Sequence, residues 1–167
     1  MPATGLPLTL RVGECFVDNF TGEKSLRRHV HSPTGTTMQT NRVTREQVLE
    51  ASKGMLQKQF YVVFSTPTDG LGPVMQNLPI HLEHQCKIER DGILVAAGPH
   101  WSDDEQYWDG DGMFVIRATS IEHAKAIAAE DPMHQCGARR FSIRPWLVNE
   151  GRLNLKVDFS TGKVTVD

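Results

Sequence analysis

The alternation of apolar and polar positions between residues 60 and 146 predicts six elements in the order β-α-β-β-α-β. Period-two runs rich in β-branched and aromatic residues mark the strands, and apolar positions three or four residues apart mark the helices. The second helix must end near Asp131, because Pro132 disfavours helical dihedrals at the residue before it. Strands are predicted at 60–64, 93–97, 113–116 and 141–144, and helices at about 78–90 and from the capping box Thr119-x-x-Glu122 to Asp131.

This order is that of the ferredoxin-like α+β unit, in which both helices cover one face of a four-stranded sheet. The other face is left bare and partly apolar. Because large apolar patches rarely stay exposed, we expect a homodimer or a higher homo-oligomer formed through that face.

The two ends of the chain extend beyond this core, which spans residues 60–147. Residues 1–59 form an N-terminal arm with a predicted strand at 8–17 and a helix at about 44–58, which opens with the capping box Thr44-x-x-Gln47. The apolar stripe of that helix is expected to be buried; its members are Val48, Ala51 and Met55. Residues 148–167 alternate around a Ser-Thr-Gly turn and are predicted to form a C-terminal β-hairpin.

Charge and cysteine content narrow the partners and the compartment. The chain has 18 Lys and Arg against 20 Asp and Glu, a net charge of -2, so no basic field attracts nucleic acid or anionic lipid. The cysteines are Cys15, Cys86 and Cys136; they are odd in number and contain no C-x-x-C pair. With no long apolar run, the sequence predicts a cytoplasmic protein that binds neither nucleic acid nor membrane.

His81, on the first predicted helix of the core, and Asp131, at the end of the second, are the candidate chemical groups. A histidine exchanges protons near neutral pH, and a carboxylate beside it fixes its tautomer and stabilises its charged form. Each residue has an ordinary structural explanation, since an acid before proline is common turn chemistry. An acid/base role therefore depends on whether the two side chains meet.

Other polar and aromatic residues are candidates for contact with a substrate. Trp101 and Trp108 lie in a polar loop and either cover an apolar substrate or pack against the rim of the fold. Arg140 and Arg144 share one face of the last strand and either bind a carboxylate or phenolate or pair with acids across a dimer. His134, just after the Asp-Pro step, is expected to line the pocket.

No cofactor or metal is indicated by the motifs. His84 follows His81 by three residues on one helix face, but no third ligand has diagnostic spacing. A G-x-S-x-G elbow and a glycine-rich phosphate loop are both missing, which argues against hydrolase, kinase and dinucleotide-dependent functions.

Four short motifs taken in order resemble the YCII-related family of dimeric α+β barrels. They are His81-Leu82, Asp91-Gly92-Ile93-Leu94-Val95-Ala96-Ala97-Gly98-Pro99, Asp131-Pro132 and Arg144-Pro145-Trp146. The resemblance implies that His81 and Asp131 are a catalytic pair that works without a cofactor. It also implies elimination or isomerisation of small cyclic compounds in aromatic catabolism.

The expected function is that of a lyase or isomerase that eliminates, dehydrates or moves a double bond in a small cyclic, anionic substrate. Two other functions stay open at this stage. One is a cofactor-free monooxygenase of a similar barrel type, which would consume oxygen. The other is a non-catalytic protein for small-ligand binding or assembly, in which His81 and Asp131 are a buried packing pair.

Overall fold

The computed structural model describes residues 42–166, which belong to two units with the boundary between Met55 and Leu56. In the first unit, helix α1 (Arg45–Ala51) opens with the predicted capping box, in which the Thr44 hydroxyl accepts from the Gln47 backbone N–H at 3.2 Å. The helix is shorter than the predicted 44–58, since Gly54 adopts a φ of 94°, outside the helical region. The strand predicted at 8–17 lies outside the described residues.

The second unit contains the predicted β-α-β-β-α-β order. Its four-stranded sheet has the strand order β2-β3-β1-β4 with every neighbouring pair antiparallel, so the predicted ferredoxin-like core is confirmed. The elements are β1 (Lys58–Pro67), α2 (Leu71–Arg90), β2 (Leu94–Pro99), β3 (Gly112–Ile116), α3 (Ile121–Ala129), α4 (Pro132–Gln135) and β4 (Arg139–Val148).

The starts of both long helices differ from the prediction. Helix α2 begins at Leu71, well before residue 78, because Pro73 lies in the first turn, where its missing N–H has no helical partner to lose. The N-cap of α3 is Ser120 instead of Thr119; its hydroxyl accepts from the His123 backbone N–H at 3.1 Å. Helix α4, directly after α3, was not predicted.

The core lies between the sheet and α3. Alternate residues of β1 and β3 face the helices, and the small side chains of Ala124 and Ala128, both fully buried, let α3 lie close to them. Burying each large side chain in such a layer stabilises the fold by about 1.5–3 kcal/mol. The buried cluster consists of Tyr61, Val63, Phe114, Ile116, Ala124, Ile127 and Ala128.

The opposite face of the sheet carries exposed apolar side chains. Phe64, Met113 and Trp146 are 36%, 37% and 47% exposed. The antiparallel register pairs Phe64 with Met113 and Phe60 with Trp146, and all of them point away from α2 and α3.

The predicted C-terminal hairpin is present as a separate two-stranded sheet, β5 (Leu155–Asp158) and β6 (Lys163–Val166). Leu155 pairs with Val166 and Val157 with Val164, so one face of the hairpin is apolar. Within residues 42–166 no helix combines the length and the apolar character needed to cross a bilayer.

We expect two copies of the chain to associate through the open face of the four-stranded sheet. Trp146→Arg places a charge in the apolar patch and should convert a dimer into a monomer in light scattering at micromolar concentration. Tyr107→Arg, which changes an exposed aromatic residue of the 100–112 loop, serves as the control and should leave the dimer intact. A native protein that is monomeric under these conditions would contradict the prediction.

Candidate active site

His81 and Asp131 are in direct contact, although they are fifty residues apart in the chain. His81 projects from α2, and Asp131 lies between α3 and α4. The His81 Nδ1 is 2.8 Å from Oδ2 and 3.0 Å from Oδ1 of Asp131. The predicted contact is therefore confirmed, and the side chains are 12% and 1% exposed respectively.

The Asp131 carboxylate is held by donors from both sides. It is the N-cap of α4, where Oδ1 accepts from the Met133 backbone N–H at 2.9 Å, and Pro132 occupies the first helical position. From α2, the Gln85 Nε2 donates to Oδ2 at 3.1 Å. Burial alone would raise the pKa of Asp131, but the hydrogen bond and charge of His81 and the Met133 amide outweigh it and hold the pKa below its usual value. Asp131 is thus an anion at neutral pH.

The contacts with Asp131 fix the orientation of the His81 and Gln85 side chains. A carboxylate only accepts, so His81 donates through Nδ1–H and its Nε2 remains for other chemistry. The same reasoning assigns the Gln85 amide, whose Nε2 must face Asp131. The Gln85 Oε1 is then buried without a hydrogen-bond partner among residues 42–166.

His81 lies in the wall of a cavity of about 440 Å³, within the range of small-ligand sites. Leu82, which the sequence pattern placed in the core, lines the cavity instead and is 52% exposed. Trp101, also in the wall, is 63% exposed, so the cavity opens to solvent on this side. The other apolar walls are formed by Leu78, Ala97, Pro99 and Phe114.

The loop between β2 and β3 supplies both tryptophans that the sequence singled out. Trp101 and Trp108 line the cavity, whereas Tyr107 does not. The Trp108 Nε1–H donates to the Asp111 carbonyl at 2.7 Å, which fixes the indole. Gly110 makes this turn possible, because it has a φ of 95° and a Cβ there would lie 2.8 Å from the Pro67 side chain.

The two arginines predicted to bind substrate lie on the other side of the sheet. Arg140 and Arg144 share the open face with Trp146 and do not line the cavity. Their neighbour Arg139 has the opposite orientation; it is 6% exposed and lies in the cavity wall. The arginine of this site is therefore Arg139, which the sequence analysis missed.

His134 lies behind the cavity wall and does not line it. Its Nδ1–H donates to the Ala128 carbonyl at 2.6 Å, so its Nε2 accepts from the Ser65 hydroxyl at 2.8 Å. Its ring packs between Phe114 and Phe141, with centroids 6.3 and 4.6 Å away. Ser65, which the sequence analysis also missed, is the residue of this hydrogen-bonded network that lines the cavity.

Among the described residues, no group of three or more His, Cys, Asp or Glu side chains is placed to hold a metal ion. His84 is half-buried and does not line the cavity. The polar and charged side chains that line the cavity are His81, Gln85, Ser65, Asp111 and Arg139.

We expect the His134 network to make stability depend on pH. Burial lowers the pKa of His134, against the opposing effects of the Ala128 carbonyl and Asp131, so the unfolded chain takes up the proton first. The free energy of unfolding should therefore fall as the pH drops below about 6.5, the usual histidine value. His134→Gln should flatten this dependence between about pH 7.5 and 5.5, measured by urea unfolding.

Asp131 does not contribute to the pH dependence in this range. Because its pKa is lowered in the folded protein, the stability that it provides is lost only at more acid pH, below about 4. The matched control His100→Gln removes an exposed histidine outside the network and should keep the native slope. A His134→Gln variant with the native slope would show that His134 is not the group responsible.

Comparison with known proteins identifies the family of this chain. The family model described as the YCII-related domain matches residues 59–147. A similar solved structure is that of 5-chloro-2-hydroxyhydroquinone dehydrochlorinase from Burkholderia phenoliruptrix in complex with 2,5-dihydroxybenzoquinone. It has 13% sequence identity and a TM-score of 0.41, covering 52% of this chain and 92% of that one. No curated protein matches the chain. On the family match, which spans more than half of its residues, this chain belongs to the YCII-related family.

Proposed function

We propose that the chain is a lyase or isomerase that moves a proton on a small cyclic, anionic compound of aromatic catabolism, without a cofactor. One observation carries the proposal: the buried Asp131 carboxylate binds His81 Nδ1 at 2.8 Å, while His81 itself lines an apolar cavity that opens to solvent. A histidine held in this way is oriented as a base through Nε2.

In the proposed reaction, His81 Nε2 removes a proton from a ring carbon of the substrate. In an elimination, the electron pair of that C–H bond forms the new double bond, and a leaving group departs from the adjacent carbon with its own electron pair. In an isomerisation, the same proton returns from His81 to a different carbon. Asp131 stabilises the imidazolium that exists between the two steps.

The cavity contributes through its shape and its low polarity. General acid/base assistance supplies about 10²–10⁴-fold, so orientation of the substrate against Nε2 must provide much of the remaining acceleration. Leu78, Ala97 and Phe114 form walls that hold a flat ring and exclude water from it. The restriction to cyclic compounds of aromatic catabolism comes from what the resemblance to the YCII-related family implies.

Proton abstraction can be tested before the natural substrate is known. The protein is incubated in D₂O with a panel of small cyclic ketones, lactones and hydroxy acids, and exchange of C–H for C–D is followed by NMR. The native protein should accelerate exchange or elimination for at least one member. His81→Asn, which keeps a hydrogen-bond donor near Asp131, should lower that rate by about 10²–10⁴-fold.

Asp131→Asn should also lower the rate, because it removes the charge that stabilises the imidazolium. It should also lower the melting temperature, because the new amide N–H groups would face existing donors.

His84→Gln, on the same helix as His81 but outside the cavity, is the matched control and should keep the native rate. An unchanged rate in the His81 variant would remove His81 from the mechanism. Oxygen consumption in an electrode would instead indicate a monooxygenase.

A further inference from the structure

Arg139 is a buried cation without an ion-pair partner among residues 42–166. It lies at the start of β4, is 6% exposed and lines the same cavity as His81. Its Nε has no hydrogen-bond partner among residues 42–166, and its guanidinium takes part in no ion pair there. Buried charges are normally paired, because removing them from water is costly. The Arg139 guanidinium is therefore placed where the anion of a bound ligand can form an ion pair with it.

The groups around Arg139 leave its charge available. The guanidinium lies over the Trp108 ring, whose centroid is 5.8 Å from the guanidinium carbon. Asp131 and Asp111 attract it through space without forming an ion pair, and Asp131 is already engaged by His81 and Gln85. Burial lowers the pKa of Arg139, yet an arginine stays charged at neutral pH.

We propose that Arg139 binds the carboxylate of a small cyclic carboxylic acid, with the ring of that acid lying against Trp108. The planar guanidinium matches a carboxylate in geometry and donates two parallel N–H bonds to it. The apolar walls of the cavity suit the ring. Among the described residues that line the cavity, Arg139 is the one arginine or lysine. The inference rests on the proposed function and specifies its substrate class.

This position also has a consequence for the proposed chemistry. If His81 removes a proton from the carbon next to the carboxylate, negative charge spreads onto the carboxylate oxygens as the C–H bond breaks. A fixed cation that is itself buried in an apolar cavity wall stabilises that charge as it develops. Arg139 would then stabilise the transition state as well as hold the substrate.

The experiment compares benzoate with benzamide, a neutral molecule of nearly the same shape. Dissociation constants are measured by tryptophan fluorescence, since Trp101 and Trp108 line the cavity, and by ligand-observed NMR. The native protein should bind benzoate at least about tenfold more tightly than benzamide. Arg139→Gln should weaken benzoate binding by about tenfold or more and leave benzamide binding nearly unchanged.

Arg140→Gln is the matched control, because it removes the same charge one residue away on the opposite face of the sheet, and it should keep the native preference for benzoate. Arg139→Lys is a second variant, which preserves the buried charge if Arg139→Gln does not fold. It should retain a reduced preference for benzoate, since the ammonium lacks the planar fork.

Equal affinity for the two compounds, no binding of benzoate at millimolar concentration, or an unchanged preference in Arg139→Gln would each overturn the proposal. The readout requires no turnover. A preference for benzoate together with the absence of proton exchange would therefore reject the His81 mechanism and retain the Arg139 site. The reverse result would reject the Arg139 site alone.

Discussion

The Asp131 carboxylate organises the whole site. It is 1% exposed, and its three donors come from different local environments: a ring nitrogen and a side-chain amide on α2, and a backbone N–H of α4. A buried carboxylate is tolerated only when donors replace the water it has lost. The packing of α2 against α4 and the orientation of His81 are therefore set by one group, and loss of that group would affect fold and chemistry together.

The order of elements could be predicted because each strand and helix carries its own period. The helix starts were predicted less well. A proline is compatible with the first turn of a helix as well as with a loop, which obscured the start of α2. Before α3, either of two adjacent hydroxyl residues satisfies the requirements of an N-cap. Helix α4 is only four residues long, too short for any apolar period to show. The contact of His81 with Asp131 depends on tertiary packing, and the sequence indicated it only through the order of the family motifs.

The missed cavity residues follow from the same alternation that located the strands. Phe141 and Ile143 pack against the core, so residues of β4 with the same parity point toward the helices. Arg139 has that parity and Arg140 does not. Ser65 likewise continues the inward series of Tyr61 and Val63. Each is a polar residue at an inward position near a strand end, and each lines the cavity that lies beside α2.

Two buried polar atoms of residues that line the cavity have no hydrogen-bond partner among the described residues. Arg139 Nε and Gln85 Oε1, each in a residue more than nine-tenths buried, have no hydrogen-bond partner in the described part of the chain. Unpaired buried donors and acceptors reduce stability, and proteins retain such costs mainly where function requires them. A ligand that supplies an anion to the arginine would bind the folded state alone and return stability by mass action. The same imbalance that weakens the empty protein is then the source of its selectivity, because a neutral ligand leaves the buried charge unpaired.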